Sequence, residues 1–316
     1  MNSTVELKQG TPRAFGAWVL ACFLWGSALS LVKTVVEEYD PVFLVFARMA
    51  VACLILTPFV LIYCRKVRFA RWRDLLMIIG MAICDPIGFF TFEAVALQYT
   101  SASQAGMLWA VYPMITVVMG WAILKERTTL PVILCFIVAM AGVLMLTAAG
   151  ETTDHASNPI LGNILELLSL ACGAGYVIII RFLRGGYPTI FLVWVQCLIA
   201  ALVFLPILSF DFVTLPTEFK LESFLMILYL GAGLSLLAQS LSTYEIGRLP
   251  VAWIASIGNL IPVIGVLTGV IVLEEAMLPI QWVACAVVLG AVLLSQHFQR
   301  RSSAKQAAQE KLIKAA

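Results

Sequence analysis

Apolar residues gather into ten long stretches along the chain, and charged or Pro/Gly-rich gaps separate them. Each stretch is about 20 residues long, which is the length that an α-helix needs to cross a bilayer core of ~30 Å. The pattern therefore predicts ten membrane-spanning helices and almost no soluble domain. Their predicted limits are 14–33, 41–63, 74–97, 101–124, 129–149, 159–181, 187–209, 221–245, 249–273 and 279–298.

The second half of the chain repeats the first at an offset of about 148 residues, with one residue of drift. The matched prolines, glycines and charges are Lys33 with Arg181, Pro58 with Pro206, Pro113 with Pro262, Glu126 with Glu275, and Gly142 with Gly290. Five helices per repeat is an odd number, so the second repeat crosses the membrane in the opposite sense. Inverted repeats around a midplane site are typical of secondary transporters.

The predicted fold is an all-α membrane protein with ten transmembrane helices arranged as two inverted five-helix repeats. The segments are an N-terminal tail over 1–13, a first repeat over 14–150, a linker over 151–158, a second repeat over 159–298, and a basic tail over 299–316. The first apolar run has the length of a spanning helix and nine more follow it, so we interpret it as an uncleaved span rather than a signal peptide.

Positive charge lies on one side of this predicted topology. Seventeen of the 20 Lys and Arg residues fall in segments on the same side as the N-terminus, while Lys33 and Lys220 fall on the other side with most of the acidic loop residues. The positive-inside rule therefore predicts that both termini are cytoplasmic.

Composition agrees with a membrane protein, since 62% of the residues are hydrophobic and 12% are charged. The eight cysteines lie in or beside apolar runs without a Cys-x-x-Cys pair, and the two histidines are distant in sequence, so we expect neither disulfides nor a metal site. The sequence has no ATP-binding Gly-x-x-x-x-Gly-Lys loop and no nucleic-acid footprint. We expect no cofactor.

Several stretches resemble the EamA family of the drug/metabolite transporter superfamily. They are LWGSALSLVK, FARMAVACLILTPF, EAVALQYTSASQAGMLWAVYPMITVVMGWAILKERTT and IGNLIPVIGVLTGVIVLEEAMLP. The resemblance covers nearly the whole chain. It implies a ten-helix transporter of the bacterial inner membrane, usually an exporter of amino acids, related metabolites or drugs, with a central cavity between its halves.

Four ionisable side chains lie inside predicted spans: Arg48, Asp85, Glu93 and Glu166. A charge at a helix centre costs ~2.5–3.5 kcal/mol or more on insertion scales, so such residues normally face a bundle interior or a wet cavity. A rise of 1.5 Å per residue places them roughly 6 to 18 Å below the outer boundary. We therefore treat all four as candidates for ion pairing or for coupling within one cavity.

Arg48 and Glu93 each have two interpretations. Arg48 either binds a substrate carboxylate or forms a structural ion pair with Glu93 or Asp85 that lets the acids be buried. Its repeat partner is the neutral Gln196. Glu93 lies near the predicted outer interface, so it either reaches that interface or balances Arg48.

Asp85 and Pro86 lie together in the stretch ICDPIGFFTFEAVAL. Pro86 cannot donate to the carbonyl of Ala82 and biases Asp85 away from α-helical geometry, which predicts a kink beside a mid-membrane carboxylate. Broken helices at this depth hold ion and substrate sites in transporters. Asp85 either exchanges a proton during transport or only pairs with Arg48 and the freed backbone. Glu166 has no typical acidic counterpart in the family, which favours a cation or a coupling proton.

Aromatic and amide side chains complete the predicted cavity. The candidates are Trp25, Trp109, Tyr112, Tyr176, Gln196, Gln239, Tyr244, Trp253 and Asn259. They can stack on an aromatic or cationic solute, or they serve as packing residues and interface anchors. The spacing of Trp109 and Tyr112, and of Trp253 and Asn259, puts each pair on one helix face.

We therefore predict a secondary active transporter that uses alternating access and exports small metabolites, with protons as the candidate coupling ion. Its expected partners are a small-molecule substrate and the lipid bilayer. A membrane-embedded enzyme is the main alternative, and a receptor or scaffold without transport is another. The enzyme would need a convergent nucleophile, base or metal cluster that the spans do not show.

Overall fold

The structure is a computed structural model that describes residues 11–65, 67, 71–125, 129–150, 156–183, 186–216, 220–245 and 257–315. Within these residues the chain is almost entirely helical. Among the described residues, nine helices are long and apolar enough to cross a membrane, and the shorter apolar helix Leu260–Val272 lies in the ninth predicted span. The first residues of that span, 249–256, lie outside the described residues. The predicted all-α membrane fold is confirmed.

The first repeat contains five spans. Its α-helices are Thr11–Glu38, Pro41–Tyr63, Trp72–Ala82, Phe89–Tyr99, Ala102–Leu108, Tyr112–Leu124 and Leu130–Ala148. The π-helical segment Ile83–Gly88 joins the two halves of the third span, and the 3-10 turn Trp109–Val111 joins those of the fourth.

The second repeat has the same order of elements. Its α-helices are Pro159–Leu183, Thr189–Ile207, Leu221–Leu228, Gln239–Glu245, Leu260–Val272 and Pro279–Ala315. The π-helical segment Tyr229–Ala238 lies inside the eighth span, which corresponds to the third span of the first repeat. The tenth helix continues beyond the predicted span limit of 298, because residues 299–315 contain neither proline nor glycine.

Local sequence explains where several spans begin and end. The Asp40 carboxylate accepts a hydrogen bond of 2.8 Å from the Val42 N–H and Pro41 occupies the first turn, so the second span begins at the predicted residue. The fourth and ninth spans each end at a residue with left-handed backbone, Lys125 at φ 55° and Glu274 at φ 53°. These two residues are repeat partners, so the turn geometry follows the internal repeat.

Inter-helix packing follows a pseudo-twofold pattern. The second span packs against the seventh and the fifth packs against the tenth, so each of these pairs joins corresponding helices of the two repeats. The first span packs against the eighth and ninth, and correspondingly the sixth packs against the third and fourth. This exchange of partners is the arrangement expected of two inverted five-helix repeats.

The fourth and ninth spans cross with their backbones almost in contact. A Cβ added to Gly106 would lie 2.9 Å from the carbonyl carbon of Gly265, and one added to Gly265 would lie 3.0 Å from the Gly106 Cα. Small residues at such a crossing let membrane helices approach closely. The crossing fixes the two repeats together on one side of the bundle centre.

One end of the bundle is held by a contact between the repeats and by a second contact within the first repeat. Glu275, which follows the ninth span, contacts the start of the fourth span, and Lys33 near the end of the first span donates a 2.7 Å hydrogen bond to the Leu97 carbonyl. We call this the Glu275 end. Lys33 is only 2% exposed and Glu275 only 6%, so both charged side chains are buried in the bundle.

Candidate functional site

A small cavity lies where the first, second, third, seventh and eighth spans meet. Its walls are formed by Trp25, Met49, Asp85, Pro86, Phe90, Gln196, Cys197, Ser235 and Gln239. The cavity measures about 10 Å³, which is close to the least space that one water molecule needs. Both repeats line it, and in this conformation it is too small for a metabolite.

Asp85 lies at the break in the third span. Its backbone is extended, with φ −143° and ψ 120°, between the helices Trp72–Ala82 and Phe89–Tyr99. The predicted departure of Asp85 from α-helical geometry is therefore confirmed. The side chain is partly exposed and lines the cavity, so its exposed surface faces the bundle interior. The kink thus presents a carboxylate to the space between the repeats.

Arg48 is almost fully buried in the second span, with 1% of its surface exposed. Its Nη1 atom lies 3.9 Å from the Glu93 Oε2 atom, and its guanidinium carbon lies 3.7 Å from the centre of the Phe90 ring. Asp85 is a further electrostatic neighbour. The Nε and Nη2 groups of Arg48 have no hydrogen-bond partner among the described residues. The guanidinium is thus held by one acid and one ring while two of its donor groups stay unused.

Glu166 in the sixth span is completely buried. Neither of its carboxylate oxygens has a hydrogen-bond partner within the described part of the chain. Its electrostatic neighbours are Glu93 and the indole N–H of Trp109, which lies close enough to act as a weak donor to the carboxylate although the contact lacks full hydrogen-bond geometry. The second, third and sixth spans therefore bring together all four intramembrane charges that the sequence singled out, and this cluster contains three acids and one base.

Trp109 is the centre of an aromatic group beside the cavity. Its ring centre lies 5.9 Å from that of Trp25, 5.6 Å from that of Phe89 and 6.2 Å from that of Tyr112. Trp25 also donates a 3.4 Å hydrogen bond to the Ser242 hydroxyl of the eighth span. The aromatic residues of the first and fourth spans thus form one wall, and Trp25 is the member that reaches the cavity.

The amide candidates differ in their surroundings. Gln239 lines the cavity and donates a 3.1 Å hydrogen bond to the Tyr176 hydroxyl. Gln196 also lines the cavity, is 5% exposed, and its Oε1 atom has no partner in the described structure. Asn259 instead exchanges two hydrogen bonds of 3.2 and 3.3 Å with Gln296 of the tenth span.

Two further candidates cannot be placed at the site. Trp253 lies outside the described residues, and for Tyr244 only the backbone belongs to them, at the end of the eighth span.

Glu275 is an interaction site that sequence reasoning missed. Its carboxylate accepts hydrogen bonds from the backbone N–H groups of Ala102 and Ser103, at 2.7 and 2.8 Å, and from the Ser103 hydroxyl at 2.5 Å. These donors form the first turn of the fourth span, where a helix dipole favours an anion. The sequence signal that could have identified Glu275 is its repeat match with Glu126. In the structure, the residue directly before each of these glutamates has a left-handed backbone.

The model of the EamA-like transporter family matches residues 14–148 and residues 160–296, one match for each repeat. The chain belongs to the EamA-like transporter family.

Relatives within this family are named as transporters. The uncharacterized transporter YcxC of Bacillus subtilis strain 168 is 27% identical over 276 residues, which cover 85% of this chain and 88% of YcxC. The uncharacterized inner membrane transporter YedA of Escherichia coli strain K12 is 25% identical over 287 residues, which cover 89% of each chain. A solved crystal structure with 20% sequence identity superposes with a TM-score of 0.63 over 92% of this chain and 98% of its own, which supports the fold.

Family membership and the spanning helices together identify a multi-pass membrane protein of the EamA transporter type. Such a protein has the lipid bilayer and a small-molecule substrate as its partners. Among the described residues, no group of three or more His, Cys, Asp or Glu side chains is arranged to hold a metal ion. The cavity between the repeats and the charged cluster beside it form the candidate transport site.

Proposed function

We propose that this EamA family member is a secondary active exporter of small amphiphilic metabolites, such as amino acids or related compounds, and that it exchanges them for protons by alternating access. The bacterial inner membrane is its proposed location, with both termini in the cytoplasm. The observation that carries the proposal is the break at Asp85, which presents a carboxylate to a cavity lined by both repeats.

Substrate binding follows from the unused polar groups around this cavity. Arg48 keeps two buried donors without a partner among the described residues, and these suit a substrate carboxylate once the site opens. Trp25 and Phe90 supply apolar walls for the rest of the molecule, and Gln196 and Gln239 supply neutral hydrogen-bonding groups. A site of this kind favours a compound with one charged end and one apolar end.

Proton coupling is assigned to Asp85. The cavity has room for about one water molecule in this conformation, and opening toward either side would hydrate the carboxylate. A carboxyl group that is dry in one state and hydrated in another can bind a proton on one side of the membrane and release it on the other. In this proposal Glu93 chiefly balances the charge of Arg48, at the observed distance of 3.9 Å.

The test is transport by purified protein in lipid vesicles, with a panel of radiolabelled amino acids and related metabolites and an imposed pH gradient. We expect the wild type to accumulate at least one compound against its gradient. Asp85→Asn keeps the size and hydrogen bonding of the side chain, so it should still exchange substrate passively but lose pH-driven accumulation. Uphill transport by Asp85→Asn with an unchanged pH profile would show that Asp85 does not couple.

The proposed orientation is tested separately. Tags at both termini should report a cytoplasmic location, and a tag inserted within residues 151–158 should report the opposite side. A cytoplasmic signal from that loop would contradict the proposed orientation of the inverted repeats. A wild-type protein that moves none of the panel but converts one of its compounds would favour the membrane-embedded enzyme instead.

A further inference from the structure

Glu166 is a buried acid that the proposed transport cycle does not yet use. It lies on the face of the sixth span that packs against the third and fourth spans. Asn163, three residues before it, donates a 3.1 Å hydrogen bond to Gln104 of the fourth span. Ser169, three residues after it, donates a 2.8 Å hydrogen bond to the Phe89 carbonyl of the third span. Since residues three apart share a helix face, Glu166 points into this contact between them.

The space around Glu166 admits no ligand larger than a proton. Its side chain has no exposed surface and does not line the cavity. Both oxygens lack a hydrogen-bond partner among the described residues, and so does the neighbouring indole N–H of Trp109. An ammonium group or a metal ion would need room and further ligands at this point. A proton needs neither.

The balance of charges around Glu166 also indicates that this residue binds a proton. The charged groups that face this region are Glu93 of the third span, which is Glu166's neighbour, and Arg48 of the second span, which already pairs with Glu93. Asp85 is a third acid for the same single base. An ionised carboxylate that has no cation and only the weak contact with the Trp109 indole is too costly to keep in a low-dielectric interior, so the group takes up a proton instead.

We propose that Glu166 holds a proton in this conformation and releases it when the Arg48–Glu93 pair becomes hydrated. Glu166 is then a second group that carries a proton during transport. The step is a simple ionisation, in which the carboxyl O–H bond breaks and water accepts the proton. The transport role rests on the proposed function. The presence of the proton on Glu166 can be measured without any substrate.

The first experiment is infrared difference spectroscopy of the reconstituted protein at neutral pH, in H₂O and D₂O, which detects the carbonyl stretch of a protonated carboxylic acid. We expect a deuterium-sensitive band in the wild type that is lost in Glu166→Gln and kept in Glu166→Asp. Glu275→Gln is the matched control, because Glu275 is also a buried glutamate but its carboxylate accepts three hydrogen bonds, and the band should persist in this variant. A band that is unchanged in Glu166→Gln would overturn the proposal.

The second experiment measures pH-gradient-driven accumulation of a panel compound that the wild type moves. We expect Glu166→Gln to lose accumulation while it keeps passive exchange, and Glu166→Asp to retain part of the gradient response. An unchanged gradient dependence in Glu166→Gln, together with loss of the infrared band, would show a protonated but purely structural acid and would overturn the transport role. A wild-type protein that moves no panel compound overturns the proposed function and this transport role, while the infrared result still decides whether Glu166 carries the proton.

Discussion

Glu275 and Glu166 are both buried glutamates of the second repeat that contact the first repeat, yet their surroundings are opposite. Glu275 accepts two backbone hydrogen bonds and one hydroxyl hydrogen bond at the start of the fourth span. Glu166 accepts none in hydrogen-bonding geometry from any described residue. The first residue lies at an end of the bundle, and the second lies beside the charged cluster in its interior.

This difference in hydrogen bonding indicates a structural role for Glu275 and a functional role for Glu166. Hydrogen bonds from a helix N-terminus stabilise an ionised carboxylate, so Glu275 ties the loop after the ninth span to the fourth span. A fully buried carboxyl group without such donors contributes little to stability and persists in natural proteins mainly at functional sites. Four substitutions test this comparison, from the largest expected effect on stability to the smallest.

Replacement of Glu275 should cost the most. Glu275→Ala leaves two buried N–H groups and one hydroxyl without their acceptor, so we expect a loss of about 3–6 kcal/mol in the free energy of unfolding. Thermal unfolding in detergent, followed by tryptophan fluorescence, measures the change. The exposed Glu222 at the start of the eighth span provides the control, since Glu222→Ala should cost less than about 1 kcal/mol. Equal losses in the two variants would contradict a special role for Glu275.

Removal of Arg48 should come next. Arg48→Ala leaves Glu93 buried without its cation, which predicts a loss of about 3 kcal/mol and the loss of transport. The double variant Arg48→Ala/Glu93→Gln should recover part of the stability. Partial recovery of transport would favour a structural pair, and no recovery would leave the substrate-binding interpretation of Arg48 standing. Full activity of the single variant at normal expression would rule out both roles.

A single donor to Glu275 should matter less. Ser103→Ala removes the hydroxyl hydrogen bond and leaves both backbone donors in place, so we expect a loss of about 1 kcal/mol. Combining Ser103→Ala with Glu275→Ala tests the contact directly. The serine should then cost almost nothing further, because its partner is already gone. Additive losses would show that Ser103 stabilises the fold in another way.

Glu166→Gln should change stability least, by less than about 1 kcal/mol, because an amide of the same shape replaces a carboxyl group without hydrogen bonds. The same unfolding assay measures it. A large loss of stability would mean that Glu166 is an ionised partner of a cation, and the contrast with Glu275 would disappear.

The sequence predicted the fold well because its main signals are local. Twenty-residue apolar runs, the Asp40-Pro41 helix start and the Asp85-Pro86 break each depend on residues close together in the chain. The internal repeat added the architecture, since helix order and inversion follow from counting spans. The four intramembrane charges were found in the same way, because each is an exception within an apolar run.

Contacts between distant helices could not be predicted in this way. The sequence does not show that Lys33 and Glu275 are buried, because only tertiary packing gives Lys33 the Leu97 carbonyl and gives Glu275 the N-terminus of the fourth span. Asn259 has the spacing of a cavity residue, yet Gln296 from the next span satisfies its amide. Phe90 has no sequence feature that distinguishes it from other apolar residues, and its position over Arg48 depends on how two spans cross.

The small size of the cavity has an electrical consequence. A membrane potential falls mainly across the part of a protein that water does not fill, and in this conformation that layer includes Arg48 and Asp85. Moving one elementary charge through the full potential changes its free energy by about 2.3 kcal/mol per 100 mV. The steps that move a proton or a charged substrate past these residues should therefore depend most strongly on the membrane potential. The steps that hydrate the site from either side should depend on it only weakly.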